Sequence, residues 1–102
     1  MTTSVNLNVA SETDSVRSLI VRYAKGVTPL VNGKVVGSSK ITGGLSAGMT
    51  LGPNLGLRMY RVDFSQPVTF EQAQRAAIEM SKDKKIEFAE VDGFVTAQIT
   101  KN

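Results

Sequence analysis

The sequence predicts an α+β domain, an antiparallel or mixed sheet of about four strands with one helix on one face. Two observations carry this. Arg17–Lys25, Leu57–Phe64 and Lys84–Val91 are short segments mixing β-prone apolar residues with charges, and the first two alternate in polarity as strands do. Between the second and third lies Phe70–Lys82, whose apolar residues recur at helical spacing. The length of 102 residues fits one domain and leaves little room for two.

Residues 1–16 are rich in Ser, Thr, Asn and Asp, and read as a flexible leader with too little apolar surface to offset the entropy of ordering. The domain proper is expected to span residues 17–92. In its first strand, Arg17–Lys25, Leu19, Val21 and Tyr23 share one face while Ile20, Arg22 and Ala24 share the other, so both sides carry apolar character. Gly26 ends it.

Residues 26–56 hold eight of the nine glycines and two of the three prolines, with no sustained helical period. Asn32-Gly33, between β-prone residues, predicts a type I′ hairpin turn. The remainder, 37–56, reads as loop with one short helical turn around Leu45–Leu51.

Leu57–Phe64 places Tyr60, Val62 and Phe64 on one side and Leu57 and Met59 on the other, and Gln66-Pro67 closes it. Thr69 is placed to cap a helix over Phe70–Lys82, with Phe70, Ala73, Ala77 and Met80 on one face and Glu71 near the positive end of the dipole. Lys84–Val91 is the third strand. Phe94–Thr100 reads as a fourth strand or as an extended tail within a C-terminal segment, 93–102. One helix covers one side of such a sheet, so the other must be covered by the glycine-rich segment or by a partner.

The chain has no histidine and no cysteine, which removes the usual general base near neutral pH, the thiol nucleophile and the commonest ligands of zinc, copper and haem. No cofactor or metal is expected. Gly43-Gly-Leu-Ser-Ala-Gly48-Met-Thr50 has P-loop glycine spacing, but Met49 stands where the phosphate-binding lysine belongs, leaving a plain glycine-rich loop. No serine pairs with a lysine in a recognisable setting, and the expectation is a protein that is not an enzyme. The net charge of +3 comes from scattered basic residues, the densest run being Lys82, Lys84 and Lys85 broken by Asp83, which argues against nucleic acid as a partner. No apolar run approaches the roughly 18 residues a membrane span needs, and the first ten residues lack the features of a signal peptide.

Glu90 and Asp92, two apart at a strand end, leave the same face. They read either as solvated carboxylates or as acceptors for exposed backbone N–H groups of a partner, such as helix N-termini.

Two stretches resemble the inhibitory propeptides of subtilisin-like serine proteases. Asp83-Lys-Lys-Ile86-Glu-Phe-Ala89-Glu90-Val-Asp92 is similar to the family's D-x-x-V-x-x-V/A-E-x-D segment, with Ile for the first Val, and it follows a strand and an alanine-rich helix as in the family. Ser18-Leu-Ile-Val-Arg-Tyr-Ala-Lys25 resembles the family's first strand. The resemblance covers about half the chain. It implies a ferredoxin-like fold with an open sheet face that packs on two surface helices of the protease. The family places a helix between its first two strands, and this chain departs from it there with the glycine-rich hairpin and loop segment, so that the first helix is shortened, moved or replaced. It further implies that Glu90 and Asp92 cap those helices, and that the segment after Asp92 enters the substrate cleft, with Phe94, Val95, Thr96, Ala97 and Gln98 as partner-binding residues. The partner implied is a subtilisin-like catalytic domain, in cis or in trans, the location is extracellular, and the free domain is expected to be a monomer. A generic interaction module, a homodimer pairing its open sheet face and an RNA-binding domain of the same fold are the competing readings.

Overall fold

The structure, a computed structural model, describes residues 16–92. It is α+β: a four-stranded antiparallel sheet with one helix on one face, compatible with a ferredoxin-like arrangement. In chain order the elements are β1 (Val16–Tyr23), a small hairpin of β2 (Leu30–Val31) and β3 (Lys34–Val35), a 3-10 turn (Ser38–Lys40), β4 (Thr50–Gly56), β5 (Met59–Val68), α1 (Phe70–Met80) and β6 (Ile86–Val91). The sheet order is β4-β5-β1-β6. Two connections therefore each skip one strand: β5 reaches β6 across β1 through α1, and β1 reaches β4 across β5 through residues 24–49.

Alternation along β1 decides what is inside. Leu19, Val21 and Tyr23 are at most 1% exposed and face α1, against Val62 of β5 and Val91 of β6. Burying each such side chain stabilises the fold by roughly 1.5–3 kcal/mol. Val16, expected in the leader, belongs to this core: it is 1% exposed and pairs with Val68. Its sequence neighbours are polar, and only the long-range pairing with β5 makes it a strand residue.

Helix α1 starts where the sequence places it. The Thr69 hydroxyl accepts from the Gln72 backbone N–H at 3.0 Å, and the Gln72 side chain accepts from the Thr69 N–H at 3.0 Å, a reciprocal capping box. The helix ends at Met80, two residues short of expectation, with Ser81 as its C-cap. Ala73, Ala76, Ala77 and Met80 are buried; three alanines on one face let the helix lie close to the sheet.

The glycine-rich segment is more ordered than the sequence suggests. Asn32 and Gly33 take φ of 53° and 76°, the two positive values a type I′ turn requires. The helical turn expected around Leu45–Leu51 is absent; residues 43–48 make successive turns, and the one short helical piece is Ser38–Lys40. Thr50–Gly56, expected as loop, is the edge strand β4. Its two register irregularities and Pro53 hide it from pattern reading, and an edge is where a sheet tolerates both. Strand β5 begins at Met59 and runs through Gln66-Pro67 to Val68, past the expected stop. Leu57 and Arg58, expected in that strand, form the turn between β4 and β5, with φ of 55° and 66°.

This segment packs on the helix side of the sheet. Val35, Ile41 and Met49 join the core. The Tyr23 hydroxyl donates to the Val36 carbonyl at 2.9 Å, and burial, with smaller contributions from Asp83 and Tyr60, pushes the phenol's pKa far above its ordinary value. Gly37, at φ 99°, sits so close that an added Cβ would strike the Ile86 side chain. Glu79 of α1 fastens the segment, accepting from the Thr42 N–H at 2.8 Å and from its hydroxyl at 2.9 Å and 3.1 Å. The side that α1 leaves bare is thus left bare by residues 24–49 as well.

Candidate functional site

The bare side is the open face of the sheet. Strand alternation sends Ile20 and Arg22 of β1, Met59, Arg61 and Asp63 of β5, and Phe88 and Glu90 of β6 to it. Ile20, Met59 and Phe88 are half-buried by their neighbours within the sheet. The result is an apolar strip interleaved with fixed charges.

The charges are held in place. The Arg22 guanidinium lies 5.5 Å from the Phe88 ring centroid, a cation–π distance, and its Nη1 is 3.9 Å from Glu87 Oε1. Its Nε is buried and has no hydrogen-bond partner among the described residues. Glu87 stands at a bulge in β6, between Phe88 and Ile86, which pair with consecutive residues of β1. The bulge lets Glu87 meet Arg58 Nη2 as well, at 3.1 Å and 3.2 Å. On β5, Arg61 Nε donates to Asp63 Oδ1 at 2.8 Å and Nη2 to Oδ2 at 3.3 Å. Asp63 holds the Arg61 guanidinium more firmly protonated than usual, and Asp92 adds a smaller contribution.

At one end of this face is a depression of about 460 Å³ lined by Arg17, Ser18, Arg61, Asp63, Phe64 and Asp92. Here the sequence-predicted pair divides. Glu90 is exposed on β6, opposite Ile20, and its carboxylate makes no hydrogen bond or ion pair among the described residues. Asp92, just past the end of β6, is half-buried: its Oδ2 accepts from Ser18 Oγ at 2.7 Å, and its N–H donates to the Ser18 carbonyl at 3.1 Å. The spacing rule placed both carboxylates at this end of the sheet and missed that one of them has an internal partner 74 positions away. Phe94, Val95, Thr96, Ala97 and Gln98 lie outside the described residues.

Arg61, Asp63 and Ser18 had no signal of their own in the sequence. The alternation of β1 and β6 was the available guide, since it groups Arg22 with Ile20 on one face and Glu90 with Asp92 on one face. Among the described residues no group of acidic side chains is arranged to hold a metal ion, and no helix is long and apolar enough to cross a membrane. No protein-family model, curated protein or solved structure matches this chain.

Proposed function

We propose that this chain is a non-catalytic inhibitor and intramolecular folding chaperone of a subtilisin-like serine protease, acting outside the cell. The observation that carries the reading is the open sheet face: helix and glycine-rich segment both pack on the opposite side, and Glu90 and Asp92 stand at the end of the bare one. Apolar residues in a strip with charges around them suit a docking surface, since the apolar part supplies affinity and the charges set register. Two carboxylates at its edge suit the positive N-termini of partner helices. In this reading the segment from Phe94 to Gln98 lies in the protease cleft like substrate, with backbone pairing along the strand and alternate side chains in subsites. The same docking would template the catalytic domain during folding, in cis or in trans.

The test is inhibition of a subtilisin-like protease by the purified chain. At slight molar excess the chain should abolish cleavage of a peptide substrate, and Glu90→Ala with Asp92→Ala should weaken it by at least tenfold. Unimpeded cleavage at saturating chain, across several such proteases including any catalytic domain encoded alongside it, would sink the proposal. Ile20, Met59 and Phe88 equally favour a second reading, self-pairing of the open face. Sedimentation at micromolar concentration separates the two, because a stable dimer without inhibition belongs to the second.

A further inference from the structure

We infer that Ser18 is a positioning residue for the docking edge: it orders the Asp92 carboxylate into one orientation and leaves the second oxygen for the partner. The inference rests on the function proposed above and adds a residue to it. Ser18 is 6% exposed and is the only buried polar residue among those described. A serine hydroxyl buried at this level needs a partner, and it has one, donating to Asp92 Oδ2 at 2.7 Å, the short length expected of a hydrogen bond to a charged acceptor. The backbone bond from the Asp92 N–H to the Ser18 carbonyl, 3.1 Å, closes a second link between the same two residues. Main chain and side chain of Asp92 are therefore both tied to β1.

The other charges around the depression do not compete for this carboxylate. Arg61 is engaged by Asp63 through two bonds, and Asp92 makes no ion pair with it, with Arg17 or with any other described residue. Asp92 is thus a preorganised acceptor with a free oxygen, whereas no side-chain bond of Glu90 fixes its carboxylate among the described residues. Preorganisation removes the cost of ordering a side chain on binding, so the two carboxylates contribute unequally to one interface.

The test is a set of variants whose inhibition constants are measured against a subtilisin-like protease that the wild-type chain inhibits. Ser18→Ala should raise the constant about tenfold, the scale of one hydrogen bond to a charged group. The same change should cost a further tenfold in the Glu90→Ala background and nothing further in the Asp92→Asn background. A purely structural Ser18 would instead weaken all three backgrounds alike. Side-chain couplings of Asp92 in the free chain, measured by NMR, give a second readout: a single rotamer in the wild type and averaging in Ser18→Ala. Equal inhibition by wild type and Ser18→Ala, an equal further loss in Asp92→Asn, or an Asp92 side chain already averaged in the wild type overturns the inference and leaves the proposed function standing. A wild-type chain that inhibits no such protease removes the function and this role together.

Discussion

The two strand-skipping connections do the same topological work with opposite means. Between β5 and β6 an eleven-residue helix crosses β1, started by its own capping box and seated by Ala73, Ala76, Ala77 and Met80. Between β1 and β4 a hairpin, a 3-10 turn and a series of glycine turns cross β5, seated by Val35, Ile41 and Met49 and fastened through Tyr23 and Glu79. The first is specified by residues three and four apart. The second is specified by residues 13 and 37 positions away, and it would have little reason to hold its shape without the helix beside it. A fold can thus replace a regular element by irregular chain, provided the neighbouring core supplies the fixing points.

That comparison can be broken most severely at Met80, which is fully buried in the helix and also lies beside Gly37 of the other connection. Met80→Ala should cost about 3 kcal/mol of unfolding free energy in urea, and residues 38–48 should lose amide-exchange protection along with the helix. Protection lost from only one of them would mean that the two connections are independently stable.

Gly37→Ala changes the irregular connection itself and reaches α1 only through the neighbouring Met80 side chain. It combines a left-handed backbone with a Cβ driven into Ile86, and should cost about 2–3 kcal/mol by the same measurement. Gly44→Ala has the same backbone handedness but open space around it, and should cost only about 1 kcal/mol. Equal losses would show that backbone strain, rather than contact with the helix side of the core, fixes this connection.

Thr69→Ala removes the local start signal of the helical connection and should cost about 1 kcal/mol. Its exchange effect should be confined to the first turn of α1.

The smallest effect concerns pH. The bonds from Thr42, backbone first, hold the Glu79 carboxyl below its ordinary value of 4.5. A carboxyl whose folded pKa is depressed adds stability above its unfolded pKa, and that contribution is lost as pH falls through the folded value. The Thr42 amide proton shift should therefore titrate with a midpoint below 4.5, and Glu79→Gln should abolish that titration while leaving the helix intact.

The same contrast explains what could be read from the sequence. Strand β1, the Asn32-Gly33 turn, the Thr69 cap and β6 were legible because each is written in adjacent or regularly spaced residues. Strand β4 was not, since Thr50-Leu-Gly-Pro-Asn-Leu-Gly56 offers two glycines and a proline, pairs with two register irregularities, and becomes a strand only by pairing with β5. Val16 was missed for the same reason. At the candidate site, spacing put Glu90 and Asp92 at one edge and alternation put Ile20 and Arg22 on one face of β1 without saying which face is outward. The Ser18–Asp92 and Arg22–Glu87 partnerships join opposite ends of the chain and leave no local trace.

The turn at Leu57-Arg58 bears on how fast this chain folds. Left-handed backbone at two residues with side chains costs roughly 1–2 kcal/mol each, which weakens the local drive of the β4–β5 hairpin to close. Beside the local bonds from the Gly56 N–H to Asn54 Oδ1 at 2.7 Å and from Asn54 Nδ2 to the Tyr60 hydroxyl at 3.2 Å, the turn is steadied from a distance: the Arg58 carbonyl accepts from the Tyr23 N–H, and its Nε donates to the Tyr23 carbonyl, both at 3.0 Å. The hairpin gains these further bonds only with β1, and β1 itself pairs with strands drawn from far along the chain. Refolding should accordingly be slow for a chain of this length, with a high-contact-order transition state in which β1 is already paired while Leu57 contributes almost nothing.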